Sequence, residues 1–423
     1  LRDKVGIYHL AETVSEGEQL RALGRTVGEH LGDSILAEAG FRDWHQCFAY
    51  LASRDVGRLV LVIDEFPYLV SSNAGIGSIF QKGIDEHLHD TKLFLILMGS
   101  SIGMMEKEML FYKAPLYGRR TGALEVGEIA FPDAAGFLPG MDFNERVRCH
   151  AVFGSTPAYL ERLDPSRGAL DNARDLILQP GSMLFQEVEF LLREELREPR
   201  NYFAILRALA LGKRRVSEIV NETGFEKTLV ARYLDILRDL RLVRREVPIT
   251  ERQPEKSKLG LYGLCDPFVA FWFRYVLPHR SRIEMGEVDR VVERIRGDFE
   301  AYVSGTFEVV CRDLVRVAMQ QGRIGSGRVG RWWSRLAEID VLALDDEARV
   351  AWFGECKWSE RPVGEDVYRQ LVGAAAQAGD AALPGWERRF VLFSKSGFTA
   401  GMKALARKDR VCLIDQGEGW LTA

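Results

Sequence analysis

The chain has 423 residues, which at about 150 residues per domain argues for two or three domains. Hydrophobic residues make up 47% and charged residues 28%, a balance that excludes a disordered tail, a collagen-like repeat and a small disulfide scaffold. Fifty-seven Lys and Arg against 61 Asp and Glu leave a net charge of −4, too small to name a partner.

The distribution says more than the sum. Residues 191–260 hold 16 basic and 11 acidic side chains, so the rest of the chain is the more acidic part. No apolar run approaches the roughly 20 residues that span a bilayer, so no membrane partner is expected. Cys47, Cys149, Cys265, Cys311, Cys356 and Cys412 form no C-x-x-C pair. That spacing suits neither zinc nor a disulfide framework and reads as a reduced, cytoplasmic protein. The chain starts at Leu1 without an initiator Met, so the numbering is expected to begin inside a longer protein.

Residues 1–165 alternate short apolar runs with amphipathic stretches. Val5–Leu10, Arg58–Ile63 and Leu93–Met98 read as strands, with a helix from Gln19 to Leu31 between the first two. That alternation predicts a parallel α/β sheet. The second strand runs into Asp64 and Glu65, and ligands gather at the C-terminal edge of such sheets. In P-loop NTPases an Asp here holds Mg²⁺ and the following Glu polarises the attacking water. The alternative is a buried strand ending in solvated acids.

The third strand ends in Gly99-Ser100-Ser101, which places small polar side chains beside those carboxylates. In AAA-type ATPases a polar residue there senses the γ-phosphate. Arg119 and Arg120 follow in a loop flanked by Pro115 and Gly122. They fit an arginine finger, or else a surface pair bound to acids.

IDEFPYLV, LFLILMGSS, PLYGRRTG and Phe153-Gly-Ser-Thr-Pro-Ala-Tyr-Leu160 resemble the archaeal-type AAA+ ATPase family, in the signal-transducing branch of P-loop ATPases. The last string resembles the family's G-G-T-P-x-Y-L signature, with Ser155 replacing the second Gly. The resemblance implies that Ser100, Ser101, Thr156 and Pro157 lie near bound ATP and its Mg²⁺. The phosphate-cradling motif G-x-x-x-x-G-K-[ST] does not occur in these 423 residues. In the family it precedes the strand that reads Lys4–Leu10 here, so the ATPase core is expected to be truncated. Residues 1–423 are then expected to bind ATP negligibly.

From Pro199 to Thr250 the apolar spacing turns helical. Tyr202–Leu211, a short helix from Val216, and Lys227–Leu240 are followed by strands at Leu242–Val247 and Gly260–Leu264. This order predicts a winged helix, with residues 166–260 forming a helical lid region and the winged helix-turn-helix. Lys227 and Arg232 on the third helix, and Arg244 and Arg245 on the wing, are the candidate contacts to nucleic acid, expected to be DNA. The alternative is a winged helix that packs on the ATPase as an interaction module.

Residues 261–423 read as mixed α/β. Glu308 falls on a helix whose buried face is Phe307, Val310, Cys311 and Leu314. Asp340 lies in a strand from Glu338, and the next strand reads Gly354-Glu355-Cys356-Lys357. Period-two alternation puts Glu355 and Lys357 on one face, a costly burial unless they pair or bind metal. Glu308, Asp340, Glu355 and Lys357 resemble the PD-(D/E)xK nuclease superfamily, a restriction-endonuclease-like fold. The resemblance implies that Asp340, Glu355 and the Cys356 carbonyl ligate Mg²⁺ or Mn²⁺. It further implies that Lys357 serves the attacking water and that Glu308 positions the metal's water shell. Gln370 sits where several members place a polar helper.

Phe268, Phe271, Trp272, Phe273 and Tyr275, at helical spacing, are expected in the core. Trp332 and Trp333, beside Arg328, Arg331 and Arg335, fit either a nucleic-acid-facing rim or an interdomain anchor. The whole reads as a multidomain α/β protein: a truncated parallel-sheet P-loop NTPase core, a winged helix and a nuclease-like domain. Self-association into a homo-oligomer is left open. The alternative reading is a regulatory ATPase switch whose last domain binds DNA or protein without cutting.

Overall fold

The computed structural model describes residues 6–54, 59–100, 102–105, 112, 114–196 and 199–415. It divides into two compact units, Leu1–Val126 and Gly127–Ala423. Among the described residues no helix is long and apolar enough to cross a membrane.

In the first unit, β1 (Gly6–Leu10), β2 (Val60–Asp64) and β3 (Phe94–Leu97) form a parallel sheet in the order β1-β2-β3. The central strand is an almost unbroken buried run, as a strand covered on both faces must be. β3 is the more exposed edge, with Phe94 about half accessible. Helix Glu16–Leu31 starts where Ser15 and Glu18 cap each other and stops at Gly32, a left-handed position that Gly adopts without strain. Leu20, Leu23 and Val27 bury its inner face. Helix Trp44–Ser53 packs on helix Ile76–Gly83, where the Trp44, Phe48, Phe66 and Phe80 rings meet tilted or edge to face in one aromatic cluster.

The second unit carries two sheets and two buried clusters, the larger one reaching the winged helix and the long helix, the smaller one on the C-terminal sheet under the helices that follow it. The helices Pro199–Ala210, Val216–Thr223 and Lys227–Asp239 are followed by an antiparallel hairpin of β4 (Val243–Glu246) and β5 (Leu261–Leu264). That is the expected helix-turn-helix with a wing. The C-terminal sheet contains β6 (Arg328–Trp333), β7 (Glu338–Asp345), β8 (Val350–Lys357), β9 (Glu387–Ser394) and β10 (Cys412–Asp415), in the order β10-β9-β8-β7-β6. β6, β7 and β8 pair antiparallel, whereas β8, β9 and β10 run parallel. The 33-residue helix Val288–Gln320 packs across this sheet, burying Phe307, Val310, Cys311 and Val315.

Residues 127–165, assigned to the ATPase core by sequence, belong to the second unit by packing. Helix Phe143–Phe153 is buried there against the long helix, and Tyr159 meets the Phe268 ring at 5.1 Å. Phe268, Phe271, Trp272, Phe273 and Tyr275 are core residues, as their spacing requires.

Candidate functional site

The C-terminal end of β2 brings its carboxylates next to the end of β3, as the parallel register demands. Tyr8 donates to Asp64 Oδ2 at 2.5 Å, and the Glu65 backbone N–H donates to Asp64 Oδ1 at 2.9 Å. Donating that bond to a carboxylate raises the Tyr8 phenol above its ordinary range. Glu65 adopts a left-handed backbone, φ 53°, which turns the chain sharply into helix Phe66–Ser72. Its carboxylate accepts from the Ser100 hydroxyl at 3.1 Å, so the two strand-end motifs meet as the sequence suggests. Ser101 lies outside the described residues.

The two arginines have partners of their own. Arg119 makes a two-pronged pair with Asp85, at 3.1 and 2.8 Å, and Arg120 lies over the Tyr117 ring. Arg119 thus has the acidic partner of the surface-pair alternative, whereas Arg120 meets a ring. Thr156 stands just before the short helix Pro157–Leu160 in the second unit, without a side-chain cap bond to it.

The second constellation forms where β7, β8 and the long helix meet. Val341 pairs with Gly354, which carries Asp340 and Glu355 to neighbouring positions on adjacent strands. Asp340 Oδ2 accepts the Cys356 backbone N–H at 3.0 Å, fixing the carboxylate over the sheet edge. Glu355 Oε1 lies 2.5 Å from Lys357 Nζ, so the predicted same-face pair is made. Burial raises the Asp340 carboxyl, and the Cys356 N–H and Lys357 only partly offset it. Glu355 is raised by burial and then by the neighbouring Asp340 charge. Burial pushes Lys357 down, but its bond to Glu355 prevails and the ammonium is held above its usual range. Glu308, on the long helix, is pushed up to about 7 by burial and by the charge of Asp340.

The part that two arginines play in this neighbourhood escaped sequence reasoning. Arg331 lies 3.6 Å from Glu308 and 3.7 Å from Glu246, and pairs with Glu338 as well. Arg312, almost wholly buried, donates to the Asp340 backbone carbonyl at 2.9 Å. The basic residues around the tryptophans were a visible signal, but they pointed outward to a rim. Trp332 and Trp333 are in fact buried, which removes the rim and leaves packing anchors. Gln370 is exposed on helix Glu365–Ala382.

On the winged helix, Lys227 and Arg232 are exposed on one side of helix Lys227–Asp239, with Val230, Leu234 and Leu237 buried on the other. The wing arginines behave differently. Arg244 donates to Glu246 at 3.0 Å and to the Leu264 carbonyl at 2.8 Å. Arg245 donates to the Pro254 and Ser257 carbonyls at 2.8 and 2.6 Å. Both guanidinium groups thus knit the hairpin together, which spends much of the capacity that phosphate contact would need.

Fold and motifs define a multidomain α/β protein with an ATPase-type sheet, a winged helix and a second α/β domain. Residues 3–163 match the family described as an ATPase domain predominantly from Archaea. Residues 203–245 match bacterial regulatory proteins of the arsR family, and residues 272–369 match archaeal and bacterial proteins of unknown function. The uncharacterized protein MJECL04 of Methanocaldococcus jannaschii is 36% identical over 378 residues, covering 87% of this chain and 82% of its own. The chain belongs to this archaeal ATPase family. Among solved structures it is similar to the Walker-type ATPase PABY2304 of Pyrococcus abyssi, at 20% identity and TM-score 0.46, over 64% of this chain and 85% of that one. The ORC2 protein of Aeropyrum pernix, in its ADPNP–ADP complexes, is similar at 13% identity and TM-score 0.40, over 70% and 81%.

Proposed function

We propose that in its full-length form this ATPase-family protein acts on nucleic acid, with nucleotide chemistry in its first domain controlling phosphodiester cleavage in its last. The observation that carries the reading is the joint geometry of Asp340, clamped by the Cys356 N–H, and Glu355, paired with Lys357. Two half-buried carboxylates, each made harder to ionise by its surroundings, form an oxygen donor set suited to a hard divalent cation. Asp340, Glu355 and the Cys356 carbonyl would hold Mg²⁺ or Mn²⁺, which supplies Lewis-acid polarisation of the scissile phosphate.

The chain's own groups have separable tasks. Lys357 Nζ carries the positive charge that offsets the phosphate. Glu308, held near pH 7 between Asp340 and Arg331, can accept a proton from an attacking water at neutral pH. Lys227 and Arg232 offer exposed cations on the third helix for nucleic-acid phosphates, with DNA the favoured partner. In the first domain, Asp64 is assigned to the Mg²⁺ of ATP, Glu65 to the hydrolytic water and Ser100 to the γ-phosphate, a reading supported by the Ser100–Glu65 bond.

The test is cleavage of labelled duplex, branched and single-stranded DNA and RNA in Mg²⁺ or Mn²⁺. Asp340→Ala and Lys357→Ala should each lower the rate by two orders of magnitude or more while leaving nucleic-acid affinity in place. Absence of product from the parent protein on every substrate would overturn the nuclease reading.

A further inference from the structure

A second set of metal-ligating side chains lies in the first unit, away from the carboxylate edge of its sheet in sequence and in role. His45 is the second residue of helix Trp44–Ser53, and Glu86 and His87 sit in the wide π turn Ile84–Leu88. Their ligand atoms all lie within 4.8 Å of one another, the group among the described residues that gathers three such donors so closely. His87 Nε2 and His45 Nδ1 are 3.1 Å apart, and the rings meet edge to face at 65°. Two nitrogens bound to one tetrahedral zinc at about 2.0–2.1 Å stand roughly 3.3 Å apart. The imidazole pair is therefore already at the spacing that a cation would require.

The framework holding the donors is tight. Gly83 immediately precedes the π turn, and a Cβ there would fall 2.1 Å from the Phe48 ring. Only a glycine lets Phe48 approach so closely, which sets the turn against helix Trp44–Ser53 one helical turn from His45. The turn itself is closed by His89 N–H donating to the Ile84 carbonyl at 2.9 Å. Such i→i+5 turns are rare and recur at functional positions, and their wider winding brings consecutive side chains closer in direction. Here the consecutive side chains are Glu86 and His87, both ligand types. The charged neighbours are Lys82, 3.7 Å from Glu86, and the Asp85–Arg119 pair.

We propose that His45, Glu86 and His87 bind a zinc-class divalent cation, with water completing the tetrahedron. Glu86 exchanges its loose Lys82 contact for the metal. The ion staples helix Trp44–Ser53 to the turn that carries Asp85, and so stiffens the anchor of Arg119.

The test uses the full chain in an Asp340→Ala, Glu355→Ala background, so that the acidic site contributes no binding. Zinc is titrated against a chromophoric chelator, and Co²⁺ is used as a spectroscopic probe. One equivalent of zinc per chain and the intense visible bands of tetrahedral Co²⁺ are expected. Both should disappear in His45→Ala, His87→Ala, and Glu86→Gln should weaken zinc at least tenfold. The three side chains are exposed or half-buried, so circular dichroism should show the variants folded. No zinc bound by the parent, or the same equivalent bound after both histidines are replaced, would overturn the proposal.

Discussion

Arg331 of β6 stands 3.7 Å from Glu246 of β4, an ion pair that joins the wing to the C-terminal sheet. The same guanidinium reaches Glu308 and Glu338, so one cation serves carboxylates from the wing, the long helix and β7. The wing is further tied to β6 where the Ile249 N–H donates to the Arg331 carbonyl at 2.9 Å. Nucleic acid bound at the winged helix would thus act on a structure continuous with the acidic site.

Two of the three carboxylates facing Arg331, Glu246 and Glu308, titrate in opposite directions, which predicts a pH profile. Burial tends to raise Glu246, but Arg244, Arg312, Arg214 and Arg331 prevail and hold it at about 2, below its ordinary 4.5. A lowered carboxyl stabilises the fold above pH 4.5, and that contribution is lost as pH falls toward 2. Glu308, raised from 4.5 to about 7, does the reverse: its contribution is complete below 4.5 and is lost as pH rises through 7. The acid arm from Glu246 amounts to up to about 3 kcal/mol at 1.36 kcal/mol per pH unit. Denaturant titrations followed by tryptophan fluorescence should show stability greatest near pH 4.5 to 5 from these two groups. Glu308→Gln should flatten the alkaline arm, and Arg331→Gln should lower stability at pH 8, chiefly by removing the cation nearest the half-buried Glu308. An alkaline arm unchanged in Glu308→Gln would contradict the assignment.

Gly354 predicts a link between packing and the site. It lies in β8 between Val341 and Val391, and a Cβ there would come within 2.9 Å of the Val341 Cβ and 3.0 Å of the Val391 side chain. Two β-branched neighbours leave no room on that face, so Gly354→Ala must push β7 or β9 aside. The expected cost is about 1–3 kcal/mol by the usual price of overpacking. Because Glu355 adjoins Gly354 on β8 and Asp340 adjoins Val341 on β7, any metal-dependent activity should fall by more than the loss of folded protein explains. Activity that simply tracks the folded fraction would show that the strand shift does not reach the carboxylates.

The parts that could be read from sequence share one property: their signal is local. β2 is an unbroken apolar run ending in Asp64 and Glu65, and β8 alternates into Glu355 and Lys357. Helix Lys227–Asp239 shows its buried stripe in the order of its residues. β6, by contrast, has a Gly within Arg328–Trp333 and a bulge between Gly330 and Trp332, so it carries no clean period. β9 begins with Glu387, Arg388 and Arg389, which conceal its buried second half. The partners of Arg119, Arg245 and Arg331 lie 34, 9 to 12, and 7 to 85 residues away, and no local pattern names them. Residue type identified these cations as candidates; only the fold shows which are engaged and which are exposed.

That distinction separates two kinds of basic residue in the winged helix. Lys227 and Arg232 are exposed, so Lys227→Ala or Arg232→Ala should leave stability within about 0.5 kcal/mol of the parent. Each should also reduce the salt dependence of nucleic-acid binding by about one phosphate equivalent, a slope change of roughly 0.9 for duplex DNA. Arg245 caps the turn at Pro254 and Ser257, and a Cβ on Gly260 would fall 2.5 Å from its Nε, so its side chain fills a fitted place in the hairpin. Arg245→Ala should therefore cost about 1–2 kcal/mol of stability from two lost hydrogen bonds, with little change in the salt slope. Fluorescence anisotropy with a labelled duplex across a salt series, paired with thermal melts, measures both quantities. A salt slope that falls for Arg245→Ala and holds for Arg232→Ala would move the nucleic-acid surface from the third helix to the wing.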